Sequence, residues 1–369
     1  MIGAAKMLFS GLAAPPASHG LFVWGASNYG EDGSGTPENK SSPVQIGSEA
    51  DWTCVAAGWN LGGEAAAPVF AIRNGKLFAW GNNGSGSMGI GIDNGMTYSS
   101  PVQVGAAADW TKVTVFSSSL GLRGGKLFSW GENTAGEAGQ GNTTVYSSPV
   151  QVGAATDWTD IASSTRCSIG IGGGKLFAWG DNTGGQLGDG TTTARSSPVP
   201  VGAATDWAFV AGGFQGTSGG IRSGKLFMWG HNASGELGVG DLTERSSPVQ
   251  VGAETDWTAS AIGNGCSLGI RGGKLFGWGY NSTGALGLGD TTNRSSPVQV
   301  GSGTDWALIW ASSDCSFGIR SGKLFAWGSG VNGQLGLGSE TDYSSPVQVG
   351  AKTSWTRVSG FSNAQMGIG

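Results

Sequence analysis

Apolar residues in this chain come in short alternating runs, each bounded by Gly, Ser, Asn or Pro. Lys175-Leu-Phe-Ala-Trp179 is representative, with large side chains spaced as a pleated strand requires. No segment sustains a 3.6-residue period, so almost no helix is predicted. The stretch from Gly174 to Arg222 resolves into four strands. Lys175 to Trp179 is the first, and a turn-rich loop from Gly180 to Gly190 follows it. Ser197 to Gly202 is the second, with its proline at the start, where no ladder N–H is needed. Trp207 to Ala211 is the third. Ser218 to Arg222 is the fourth, joined to the next Lys-Leu-Phe by Ser223-Gly224, a hairpin signal.

This unit recurs along the chain. A Leu-Phe-x-Trp-Gly segment occurs seven times, with tryptophans at Trp24, Trp80, Trp130, Trp179, Trp229, Trp278 and Trp327, spaced 49 to 56 residues apart. Ser-Ser-Pro-Val also occurs seven times, starting at Ser41, Ser99, Ser147, Ser196, Ser246, Ser295 and Ser344. A third mark, Asp-Trp or Ser-Trp, gives Trp52, Trp110, Trp158, Trp207, Trp257, Trp306 and Trp355. Repeats of this length imply a radial or linear array. A lone four-stranded sheet cannot bury both faces, whereas radial stacking does so and leaves only short, protected edges. The two tryptophan series are the natural wedges between blades. Each indole buries on the order of 200 Å², at most about 5 kcal/mol.

The ends of the chain complement one another. Met366-Gly-Ile-Gly369 matches Leu268-Gly-Ile-Arg271, which is followed in its own copy by the Lys-Leu-Phe strand. At the C-terminus that strand is missing, and His19-Gly-Leu-Phe-Val-Trp-Gly25 supplies it. The expected architecture is therefore an all-β, seven-bladed propeller over residues 19–369, closed by pairing of its N- and C-terminal strands. Residues 1–18 form a weakly apolar arm. Its apolar stretch is short and interrupted by Ser10 and Gly11, which reads as a docking arm rather than a cleaved leader.

Composition changes the picture in two ways. Glycine accounts for 71 of 369 residues and charged residues for 12%, against usual shares of roughly 7% and ~25%. The 16 tryptophans and 14 phenylalanines rule out disorder as the reason. Net charge is −5 with no basic run, so electrostatic capture of nucleic acid is not expected. No stretch of 18 apolar residues predicts membrane insertion.

The repeat length, the Leu-Phe-x-Trp-Gly strand and the loop G-x-N-x-x-G-x-L-G-x-G resemble the regulator of chromosome condensation family. The loop is clearest at Gly180 to Gly190, Gly230 to Gly240, Gly279 to Gly289 and Gly328 to Gly338. The resemblance covers residues 20–369 and implies a seven-bladed propeller. In repeat style it is closest to phage and marine-virus proteins carrying this propeller. The family's namesake is an exchange factor for a small GTPase that binds chromatin through a basic tail, which is lacking here. A secreted β-lactamase inhibitor is another relative. Family members usually carry a histidine near the start of the fourth strand, where Arg166-Cys-Ser168 and Asp314-Cys-Ser316 have none.

Candidate chemistry is sparse. His19 and His231 are the only histidines, which argues against hydrolytic triads and histidine–metal clusters. Cys167, Cys266 and Cys315 each follow their Asp-Trp tryptophan by nine residues, and Cys54 stands apart. They read as small core residues where other copies have Ala, Thr or Ser; the rival is a disulfide or soft-metal ring. Asp181 to Asp189 offers oxygen ligands for calcium, although turn chemistry explains its Asn and Gly without an ion. Lys76, Lys126, Lys175, Lys225, Lys274 and Lys323 form a ring by repetition and read as edge charges that discourage sheet pairing. No cofactor, metal or catalytic residue is expected. The copies differ most before the fourth strand, where Trp59, Phe116, Phe214, Trp310 and Phe361 appear. The first full copy adds about seven residues there, within Asn60 to Phe70, and the loop Asn82 to Tyr98 is two residues longer than its counterparts. These aromatics either anchor an interface or fill the propeller's channel. The reading is a non-enzymatic binding or structural protein, a virion component such as a tail, fibre or capsid-decorating protein. Its partners would be neighbouring subunits or a cell-surface ligand, and its location the virion or an extracellular surface, otherwise the cytoplasm. The alternatives are an intracellular regulator such as a nucleotide-exchange factor, or a secreted inhibitor or lectin-like binder.

Overall fold

Lys175–Gly180 forms a strand covered on both sides. Leu176 and Ala178 point into one hydrophobic cluster, and Phe177 and Trp179 into another. A strand with two buried faces needs a neighbouring sheet on each side, and the ring provides both. The computed structural model describes residues 19–27, 32–35, 38–58, 68–361 and 363–369. Within them the strands assemble into seven antiparallel four-stranded sheets, as predicted. One representative blade runs, from the axis outward, through Trp158–Ser164, Cys167–Gly172, Lys175–Gly180 and Arg195–Pro200. Besides strands, the described residues hold two single-turn 3₁₀ segments, Gly84–Gly86 and Phe214–Gly216.

Blades do not coincide with the unit read from the sequence. Each begins at the Asp-Trp strand and ends at Ser-Ser-Pro-Val, so the stretch Gly174 to Arg222 belongs half to one sheet and half to the next. We number the blades 1 to 6 from Trp52, Trp110, Trp158, Trp207, Trp257 and Trp306. Blade 7 combines both chain ends in the order Lys40–Ile46, Leu21–Gly25, Ala364–Ile368 and Arg357–Phe361. Leu21 to Gly25 pairs antiparallel with Ile368 to Ala364, five residue pairs that close the ring.

Each of the seven hydrophobic clusters lies between two blades, and each holds both tryptophans of the later one. Trp207 and Trp229 of blade 4, for example, pack on Ile169, Ile171, Leu176 and Leu187 of blade 3. The indole N–H of Trp229 donates to the Gln186 carbonyl oxygen of the preceding blade at 3.0 Å. Trp24, Trp130, Trp179, Trp278 and Trp327 make the same bond at 2.8–2.9 Å. Gly188 permits this seat: at φ +72° a side chain is strained, and its Cβ would lie 2.7 Å from the Trp229 nitrogen.

Antiparallel strands place connections at two ends. The lysines and the Asp-Trp segments share one face, called here the lysine face. The first-to-second-strand hairpins and the long third-to-fourth-strand loops share the other, the loop face. On the lysine face the tryptophan amide of blades 2 to 7 donates to a hairpin glycine carbonyl of the blade before, as Trp207 does to Gly174 at 3.0 Å. Arginines there cover the aromatic wedges. Arg222 stacks 5.1 Å from the Phe227 centroid and pairs with Asp206 at 3.1 Å.

Candidate functional site

Seven innermost strands surround the axis and line a partly open cavity of about 150 Å³. Their sequences are the least uniform part of the blades. Two residues after each Asp-Trp tryptophan stand Cys54, Lys112, Asp160, Phe209, Ala259, Leu308 and Arg357 in blades 1 to 7. Polar groups thus occupy four consecutive blades, 7, 1, 2 and 3, and apolar ones the other three. Lys112 and Asp160 form an ion pair between blades 2 and 3, with both residues buried. The Asp160 carboxylate also accepts the backbone N–H of Ile161 at 3.0 Å and of Val210 at 3.1 Å, and so reaches blade 4. Burial lowers the basicity of Arg357, whose Nη1 donates to the Thr356 carbonyl at 2.8 Å. Burial pushes the Cys54 thiol up, although the nearby Arg357 and Lys112 charges oppose this. Sequence reasoning missed this column; aligning the copies on Asp-Trp and reading two residues further exposes it.

Toward the loop face the cavity meets the aromatic residues singled out in the sequence. Phe116 of blade 2 and Phe214 of blade 4 are not in adjacent blades, yet their rings meet edge to face with centroids 4.8 Å apart. Trp310 of blade 6 lines the same cavity, half-buried. Phe361 ends the innermost strand of blade 7; its side chain, like Trp59 and most of Asn60 to Phe70, lies outside the described residues, as do the arm 1–18 and its docking. The structure therefore brings Phe116, Phe214 and Trp310 together at the axis. The long loop of blade 1 instead stays at the rim, with Ile92 47% and Met96 62% exposed.

The other candidates resolve into structure. All four cysteines are free and buried. Cys167 and Cys266 are pushed up by burial to about 12, which leaves them as inert thiols. In the Asp181 to Asp189 loop, both carboxylates offered to calcium are engaged internally, Asp181 by the Thr183 backbone N–H and hydroxyl. The Asp189 carboxylate accepts from Arg195 at 3.0 and 3.1 Å and from Thr191 at 2.6 and 2.9 Å. Burial opposes its charge, but these donors and Asn182 outweigh it and hold the carboxyl below its usual range. His231 Nδ1 lies 2.6 Å from the buried Glu236 carboxylate, which raises the basicity of the imidazole. The residue equivalent to Glu236 in blade 2, Glu137, has no such partner, and burial pushes its carboxyl up. The six lysines stand at hairpins on the lysine face, at the start of each third strand. Among the described residues no group of three or more His, Cys, Asp or Glu is placed to hold a metal ion. No described helix is long and apolar enough to cross a membrane.

With the ring and its axis defined, comparison with known proteins gives the family. The regulator of chromosome condensation (RCC1) repeat matches residues 124–171, 173–217, 223–270, 272–319 and 321–360, more than half of the chain. The chain belongs to the regulator of chromosome condensation family. Matched repeats of this family begin at the hairpin before Lys-Leu-Phe, which is why the repeat straddles two blades. Three solved structures superpose on the whole ring. Prp20p from Saccharomyces cerevisiae, described with its binding to Gsp1p and histones, has a TM-score of 0.82 at 19% identity, covering 96% of this chain and 92% of that one. Yeast RCC1 (Prp20) bound to Kap60 gives 0.83 at 18%, covering 100% and 96%. Human WBSCR16 gives 0.82 at 20%, covering 95% and 98%.

Proposed function

We propose that this chain is a non-catalytic protein-binding platform that docks a partner on its loop face. The observation that carries this is where the near-identical blades differ. The lysine face repeats the same Asp–Arg pair in blades 1, 2, 4, 5 and 6. The loop face carries the exposed Ile92 and Met96 and the half-buried Phe214. A protein partner needs a distinctive patch with apolar anchors, and among the described residues the loop face breaks the repetition in that way.

The finer reading is an intracellular regulator, such as an exchange factor for a small GTPase. Prp20p, which shares the complete ring, binds Gsp1p and histones. A net charge of −5 suits a basic or neutral protein partner better than nucleic acid. The virion role expected from repeat style draws no support from these likenesses, so the regulator reading takes precedence. Release of a fluorescent GDP analogue from a purified small GTPase is expected to accelerate when the propeller is added. Unchanged release, with no co-elution on gel filtration, refutes the GTPase reading. Cross-links from a captured partner to the lysine face alone refute the assignment of the loop face.

A further inference from the structure

We infer that the axial cavity is itself a binding site, for one small uncharged aromatic molecule between benzene and indole in size. Its volume, about 150 Å³, is that of an apolar protein cavity known to stay dry and to take up benzene. Most of the wall is aliphatic, with Ala57, Val113, Ala162, Val210, Ala261 and Ile309 contributed by six different blades. Each water placed in it would seek about three hydrogen bonds. Three polar side chains in the wall are committed to the protein itself. The Ser260 hydroxyl donates to Leu268 O at 3.2 Å, the Ser359 hydroxyl accepts from Ala57 N at 3.2 Å, and Lys112 is on Asp160. The Ser163 hydroxyl and the Trp310 indole N–H, both on lining residues, have no hydrogen-bond partner in the protein. They favour a guest that carries a polar atom, such as phenol or indole, over benzene.

The Phe116–Phe214 pair forms the end wall on the loop-face side, where an aromatic guest meets a ring edge or face. Phe214 starts the short turn Phe214–Gly216, in which Gln215 sits at φ +57°, and its half-buried ring is the part of this wall that a guest would displace on entry. Because Lys112 and Asp160 satisfy each other, a charged guest gains nothing to offset its desolvation. This site shares Phe214 with the proposed partner surface, but its test does not depend on any partner.

Calorimetry on the full chain tests this with benzene, phenol, indole and benzoate as probes. One guest per chain is expected, with phenol and indole binding at least as tightly as benzene and benzoate at least tenfold more weakly. Ala261→Leu is expected to abolish uptake by filling the space. Phe214→Ala leaves the remaining wall in place and should speed guest exchange at least tenfold, which keeps the test open if the leucine variant misfolds. Failure of folded wild-type protein to bind benzene, phenol or indole overturns the proposal. So does a crystal pressurised with xenon that shows ordered water, and no xenon, along the axis.

Discussion

Asp160→Ala removes one carboxylate on which three donors converge: the Lys112 ammonium and the amides of Ile161 and Val210. The side chains of the pair are 7% and 10% exposed, so solvent screens little of the interaction. Breaking a buried ion pair from one side costs about 3–5 kcal/mol, because the remaining charge stays buried. Each buried amide left without an acceptor adds about 1–3 kcal/mol, toward the lower end here because both amides lie beside the axial cavity. A loss of about 5 kcal/mol is expected, a large share of an ordinary domain's stability of ~5–15 kcal/mol. Lys112→Met leaves the carboxylate its two amide donors and should cost about 2 kcal/mol. The double variant removes both charges and orphans only the amides, so it should be more stable than Asp160→Ala by about 2 kcal/mol. Urea unfolding of the four proteins at pH 7, followed by circular dichroism, closes the cycle. The reasoning fails if Asp160→Ala costs under about 1 kcal/mol, or if adding Lys112→Met makes it worse.

Two further outcomes follow from the same structure. Removing residues 364–369 deletes the strand that pairs with Leu21–Gly25, together with the fully buried Met366 and Ile368; a loss on the order of 3–5 kcal/mol should appear in calorimetry as a melting temperature lower by about 4–6 °C for a ring of this size, and an unchanged one refutes closure by these strands. Glu137→Gln should stabilise the protein at pH 7 by on the order of 1 kcal/mol, because burial raises this carboxyl and its Oε1 lacks a partner. A raised folded-state pKa gives stability that is present below the usual carboxyl range and lost as pH rises through the folded value. The gain should therefore shrink as the pH is lowered toward 4, and a pH-independent gain contradicts the assignment. The equivalent positions in blades 3 and 6 already carry Gln186 and Gln334.

The ring was legible because its stabilising contacts recur at a fixed spacing along the sequence. The period-two runs, the Gly seats beside each indole and the complementary ends all recur as fixed motifs, so seven blades and their closure could be read from spacing. The blade boundary was not legible, since the Lys-Leu-Phe hairpin and the Asp-Trp strand are equally regular and only hydrogen bonding tells which pair shares a sheet. Nor was the meeting of Phe116 with Phe214, which are 98 residues apart and come from blades that are not neighbours in the ring. Aromatics at the loop-face end of an inner strand can turn outward to a partner or inward to the axis, and the sequence pattern is the same in both cases. Lys112 and Asp160 escaped notice for a different reason: singly they look like ordinary strand residues, and only the closed ring makes them neighbours.

That pairing bears on how a chain of near-identical units finds one arrangement. Every interface uses the same indole seat, so the wedges alone do not distinguish blade 3 from blade 5 as the neighbour of blade 4. A ring that omitted a blade or exchanged two would still satisfy most of its tryptophans. The column at the axis breaks this degeneracy. Asp160 placed beside Leu308, or Lys112 beside Ala259, would bury an uncompensated charge, a penalty of several kcal/mol. Uniform wedges therefore supply stability, while a single ion pair with its two capped amides supplies order. The buried charge earns its place through register rather than through net stabilisation, in a fold where repetition makes register the scarcer quantity. The polar residues at this column occupy consecutive blades, running from Arg357 in the blade that joins the chain ends to Asp160 in blade 3. The part of the ring where closure must be correct is thus the part where a misplaced neighbour costs most.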